Sequence, residues 1–172
     1  MYKVDRKNEV VELEGVPQSS VGAPLPILVC DEHRRFLAYY IQVPVEGWDG
    51  QSVRMVTPET EFPIAIVELK GCTIHTFGYP NDEVFSAHPL ARKGLHSYGA
   101  FEVLNSSWIR QLEKMNSRHP FHKGGWVNRM RHFVFSFHDS TFECIAREFT
   151  IERTVGSMQS IMPVLAEKVW SR

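Results

Sequence analysis

The chain has 172 residues, 43% hydrophobic, 12% aromatic and 23% charged, which suits one domain with a sizeable core and leaves no segment polar enough for disorder. Nineteen Lys and Arg against twenty Asp and Glu give a net charge of -1, so no global field draws the protein to nucleic acid or an anionic membrane. The N-terminal MYKVDRKNEVVELEG lacks the apolar run of a signal peptide and nowhere are there 18 consecutive apolar residues, so the expected location is cytoplasmic.

The first half reads as strands at Glu9 to Leu13, Pro26 to Cys30 and Arg35 to Val43, separated by the turn-rich VPQSSVGAPLP and EGWDGQ. Residues 62 to 79 read as a hairpin turning at Lys70-Gly71, a register that pairs Ile66 with His75 and Ile64 with Phe77. PNDEVFSAHPLARKGLHS then lacks either regular period and suggests a long surface loop with one helical turn. YGAFEVL resumes a strand. Asn105 stands where an N-cap belongs, and Trp108, Ile109, Leu112 and Met115 recur at helical spacing over 106 to 116.

Near the C-terminus Met158, Ile161, Met162, Leu165 and Val169 fall on one helical face. Pro163 is tolerated in a first turn, so this helix is expected to begin near Ser160 with that serine as its cap. Together these elements predict a single α+β domain over 1–172, a largely antiparallel sheet with two or three flanking helices.

The stretch HFVFSFHDSTFECIA carries the most suggestive chemistry. If Phe137 pairs with Phe142, Phe133, Phe135, Phe137, Phe142, Cys144 and Ala146 share an apolar face. The opposite face then pairs His132 with Arg147, Val134 with Ile145, Ser136 with Glu143 and His138 with Thr141. Three readings follow. Glu143 acts as a general base oriented by His138, with Ser136 beside them as the remaining catalytic candidate. Alternatively His132, His138 and Glu143, joined by His75 or His88, hold a divalent metal. Or Asp139 and Ser140 satisfy turn amides while Glu143 bonds Ser136 and pairs with Arg147. Turn chemistry alone accounts for Asp139 and Ser140, so the structural reading takes precedence and no metal set is committed.

From Lys114 to His138 no acidic residue occurs, while Lys114, Arg118, Lys123, Arg129 and Arg131 mix with His119, His122, Phe121 and Trp126. Such a loop holds phosphates or bases in some proteins, but the spacing matches no nucleic-acid motif. GxGxxG, Walker, HExxH and CxxC patterns are absent, and Asn81-Asp82-Glu83 lacks EF-hand spacing. The three cysteines, Cys30, Cys72 and Cys144, read as reduced, buried thiols.

The leading expectation is a domain that binds a small anionic molecule or a protein partner through His132, Arg147, Arg129, Arg131 and His122, around the hairpin face and the loops near His88 and His122. The competing expectation is a hydrolase, metal-assisted or with a Glu143 base. Sequence leaves open whether the protein is an enzyme, whether it needs a cofactor and how many copies assemble.

Overall fold

The computed structural model describes residues 2–43 and 56–171, so the EGWDGQ connection lies outside the described residues. The strands are β1 (Glu9–Glu12), β2 (Ile27–Cys30), β3 (Arg35–Tyr40), β4 (Phe62–Lys70), β5 (Ile74–Gly78), β6 (Ala100–Leu104), β7 (Arg131–Ser136), β8 (Thr141–Ala146) and β9 (Glu148–Gly156). The helices are α1 (Ser107–Asn116) and α2 (Met158–Trp170), joined by 3-10 segments at Asp82–Ala87, Ala91–Lys93 and Trp126–Arg129. The fold is α+β. All strand pairs are antiparallel, in sheets ordered β1-β6-β7-β8-β5 and β2-β3-β4-β9.

Strand alternation builds four layers. Leu37, Tyr39, Ala65 and Val67 of the second sheet meet Phe133, Phe135, Phe142 and Cys144 of the first in a core between the sheets. The other face of the second sheet, Phe36, Ala38, Tyr40, Ile64 and Ile66, is covered by Met158, Leu165 and Val169 of α2. The outer face of the first sheet, with Phe101, Val103, Val134 and Ile145, lies under Tyr2, Phe85, Leu90, Leu95 and Trp108. β3, β7 and β8 are therefore covered on both sides, and their buried runs follow from that cover.

The structure corrects several local expectations. Residues 62–79 form no hairpin: β4 pairs with β3 and β9, while β5 pairs with β8 in the other sheet. The Lys70-Gly71 turn carries the chain between sheets, with Gly71 at φ +59. A glycine turn signal is the same whether the strands it joins pair or part. The 80–97 run is no loose loop, because Phe85, His88, Leu90 and Leu95 are buried beneath its 3-10 turns.

Ser106 caps α1, accepting from Ile109 N, while Asn105 sits at φ +50, a conformation asparagine tolerates better than most residues. Ser157 caps α2 and Ser160 closes the capping box from the first turn. Pro163 consequently lies in the second turn, where its missing N–H leaves the Gln159 carbonyl without its helical donor. Met162, assigned to the buried face, is 50% exposed, and Cys30 at the end of edge strand β2 is exposed while Cys72 and Cys144 are buried. Among the described residues no helix is long and apolar enough to cross a membrane.

Candidate functional site

The β7–β8 hairpin keeps the two expected faces but shifts register by two residues. Val134 opposes Glu143, His132 opposes Ile145 and Ser136 opposes Thr141, so the loop is Phe137-His138-Asp139-Ser140, closed by Phe137 N donating to Ser140 O at 2.8 Å. A shift of two preserves every side chain's face and changes only its neighbours. Glu143 leaves Ser136 and comes within reach of His132. Arg147 falls beyond the end of β8, so it pairs with neither His132 nor Glu143.

Glu143 is 7% exposed and its carboxylate is saturated. Oε2 accepts from Tyr2 Oη at 2.9 Å and from His132 Nε2 at 3.1 Å, and Oε1 accepts from His88 Nε2 at 2.6 Å. The tautomers follow from the far sides of the rings. Leu90 N–H donates to Nδ1 of His88 at 3.2 Å, which leaves the ring proton on Nε2. Ser106 Oγ accepts the Ile109 N–H and lies 2.9 Å from His132 Nδ1, so its own proton goes to that nitrogen. Tyr2 stacks on Trp108 with ring centroids 5.1 Å apart, and His132 meets both rings edge-on.

Burial pushes the Glu143 carboxyl up, but hydrogen bonds from His132 and His88 outweigh it and hold the group at about 2. The same burial, with the neighbouring carboxylate, raises the Tyr2 phenol. This arrangement describes a buried carboxylate held by three hydrogen-bond donors rather than a base awaiting a proton. Nor do the imidazoles suit a metal, since a metal on Nε2 of His88 would need the nitrogen that carries the proton. Among the described residues no group of three or more His, Cys, Asp and Glu is placed to hold a metal ion.

The remaining hairpin candidates have other partners. Ser136 Oγ donates to the carbonyls of His96 (2.8 Å) and Gly99 (3.1 Å) and accepts from Gly99 N. His138 leaves the strand: Nδ1 bonds Asp139 at 2.9 Å and Nε2 stands 4.0 Å from Asp82, whose other contact is the Tyr98 hydroxyl. The bond to Asp139, only partly opposed by burial, raises the His138 imidazole. His75 accepts from Arg35 Nε at 3.1 Å and packs on Phe142, and burial followed by the Arg35 charge lowers it. His138 and Glu143 therefore do not share a hydrogen-bond network.

Of the five ligand-binding candidates, two share a cleft. Arg131 is held by both oxygens of Glu102 and His122 by Glu113 at 2.8 Å, while His132 is wholly buried. Arg129 and Arg147 instead line one cavity of about 210 Å³ with Gly71, Thr73, Trp126 and Met130. It sits at a corner where the chain changes sheets twice, at Lys70–Thr73 and at Arg147. Arg147 N donates to Lys70 O at 3.0 Å and Thr73 N to Ile145 O at 2.8 Å, which ties the two crossings together.

Neither guanidinium forms an ion pair among the described residues, and no acidic side chain lines the cleft. The indole Nε1 of Trp126 is buried with no acceptor among the described residues. Gly71 was read from sequence only as a hairpin turn, and Thr73 and Tyr2 were not singled out. Gly71 and Thr73 gain their roles only through the sheet change, whereas the alternation of Tyr2 and Val4 with charged residues was a weak signal for a covering segment.

Compared with protein-family models, with curated proteins and with solved structures, the chain matches none.

Proposed function

We propose that the protein binds a small anion, a carboxylate or a phosphate, in the corner cleft between Arg129 and Arg147. The observation that carries this reading is that Arg129 and Arg147, neither of them ion-paired among the described residues, line one cavity of about 210 Å³. Arginine offers planar, forked N–H donors that match carboxylate and phosphate oxygens, and two of them around one concavity make a site for two or more such oxygens. Thr73 also lines the cleft and carries a neutral hydroxyl. The alternative reading, a hydrolase with Glu143 as base, gains nothing from a carboxylate whose oxygens are already saturated by three donors.

Titration calorimetry with inorganic phosphate and with malonate tests the proposal. Binding of at least one in the millimolar range or tighter is expected, weakened by salt. R129A and R147A each weaken it by about ten- to a hundredfold, the size of a lost charge-assisted hydrogen bond. R131A, already committed to Glu102, leaves affinity unchanged. Heat signals for neither anion, or loss of affinity only in R131A, would remove the cleft from the account. A protein partner with an acidic side chain in the cleft would instead appear as phosphate-competable binding to that partner.

A further inference from the structure

Cys72 and Cys144, the two buried cysteines, meet in the core between the sheets. Cys72 follows the Lys70-Gly71 turn and Cys144 lies in β8. Their thiols are hydrogen-bonded, Cys144 donating to Cys72, whose own S–H reaches Ile74 O at 3.5 Å. The next residue of each completes the match: Thr73 N donates to Ile145 O at 2.8 Å, which fastens the turn against β8 where a bridge between the sulfurs would form. Cys30 stands apart, exposed at the end of β2.

Arg35 separates this pair from two merely packed thiols. It is 8% exposed and forms no ion pair among the described residues. Its Nε donates to His75 Nδ1 at 3.1 Å and a terminal nitrogen to Glu32 O at 3.3 Å, both uncharged acceptors. A buried guanidinium with no counter-charge is costly, and a thiolate at Cys72 would supply one. The bond from Cys144 holds the Cys72 thiol below its ordinary range against the opposing effect of burial, and the Arg35 charge adds to it. Burial, followed by that same bond, pushes Cys144 up, with the Glu143 charge contributing. The pair is therefore unequal, one sulfur that ionises beside one that keeps its proton.

We propose that Cys72 is a site of oxidation by hydrogen peroxide and that Cys144 resolves the product into an intramolecular disulfide. The Cys72 thiolate attacks one peroxide oxygen, the O–O bond breaks, and the departing hydroxide takes up the proton that Cys72 shed and leaves as water. Cys72, two electrons poorer, is then a sulfenic acid. The Cys144 sulfur displaces its hydroxyl, which leaves as water with the Cys144 proton as the S–S bond closes. Cys72 is 6% exposed and Cys144 0%, so the oxidant must be as small as peroxide. This chemistry is independent of the anion cleft and stands or falls separately.

The test treats the folded wild-type protein and C30S with hydrogen peroxide, blocks remaining thiols with iodoacetamide, and reads intact mass and peptide maps. Both proteins should lose two hydrogens and yield a linked Cys72–Cys144 peptide, reversed by dithiothreitol. C144A should accumulate a Cys72 sulfenic acid that dimedone captures, and C72A should leave Cys144 reduced. R35Q should move the pH midpoint of Cys72 oxidation upward, a shift that altered packing alone would not produce. Peroxide that oxidises Cys30 while Cys72 and Cys144 stay reduced overturns the site, as does a disulfide that forms only in urea. Oxidation of Cys144 in C72A at the wild-type rate overturns the assignment of Cys72 as the reacting thiol, and an unmoved pH midpoint in R35Q removes Arg35 from it.

Discussion

Arg147 lies directly across Gly71: a Cβ built on Gly71 would stand 2.7 Å from Nε and 3.0 Å from Cγ of that arginine. The contact exists because both crossings between sheets occur at this corner, and only a residue without a side chain lets them approach. Gly71 also holds φ +59, so two costs coincide in Gly71→Ala. The left-handed backbone costs about 1 kcal/mol for an L side chain. Displacement of Arg147 adds to it and disturbs the anion cleft. Gly15→Ala is the comparison, since Gly15 has φ +76 with nothing within 4 Å. Urea unfolding should show G71A losing more stability than G15A, and only G71A should lose phosphate affinity. Equal losses with unchanged phosphate binding would mean that Arg147 repositions freely.

Glu143 is expected to matter through stability. Glu143→Gln keeps the shape but turns one acceptor oxygen into an N–H₂ group facing Tyr2, His132 or His88, all of which donate. A donor set against a donor leaves at least one buried group unpaired, costing roughly 2 to 4 kcal/mol in a network of this kind. Denaturant midpoints should fall accordingly. A variant melting within a degree of the wild-type protein would show that the three donors contribute little.

The same carboxylate sets an acid limit. Its value of about 2 in the fold lies below the ordinary 4.5, so its contribution is fully present above about 4.5 and lost as pH falls toward 2. The size implied is on the order of 3 kcal/mol. Stability measured in urea between pH 2 and 6 should therefore show wild type and E143Q converging as pH falls through that window. Parallel curves would place the acid sensitivity elsewhere.

How much of this was legible in the sequence depends on the range of the interaction. The two faces of residues 132–147 were readable because strand alternation is local, and a register error of two leaves it intact. That same error hid the link between Glu143 and His132, since FHDS and HDST are equally good loops. The separation of β4 from β5 was invisible, because a glycine turn specifies reversal and not partners. Recognising that β4 is buried on both faces while β5 is partly exposed would have argued against pairing them alone.

The candidate cleft was half legible. An acid-free stretch pointed to Arg129 and Arg131, and the chain then spent Arg131 on Glu102, a residue 29 positions away. Arg147 entered through a supposed pairing with His132 that does not occur, yet it arrives beside Arg129 because β8 ends at Ala146 and the chain must cross at the next residue. Tyr2 and His88 close the Glu143 network from segments 141 and 55 residues distant, which no local pattern encodes.

The histidines offer a last, independent check because their environments push them apart. His138 gains a proton-stabilising bond from Asp139 and the nearby Asp82 and Glu83 charges, so it is raised; His75 is lowered by burial and by Arg35. Sign follows directly: the His138 contacts stabilise the fold below its unfolded value near 6.5 and fade as pH rises through the raised folded value. The His75 imidazole remains neutral to lower pH and favours the fold once neutral. Following ring protons by NMR should show His138 titrating above His75, with Asp139→Asn moving His138 downward and leaving His75 in place. The reverse order would mean that the loop carboxylates do not hold His138 in solution, and Asp82, Tyr98 and His138 would then titrate as separate surface groups.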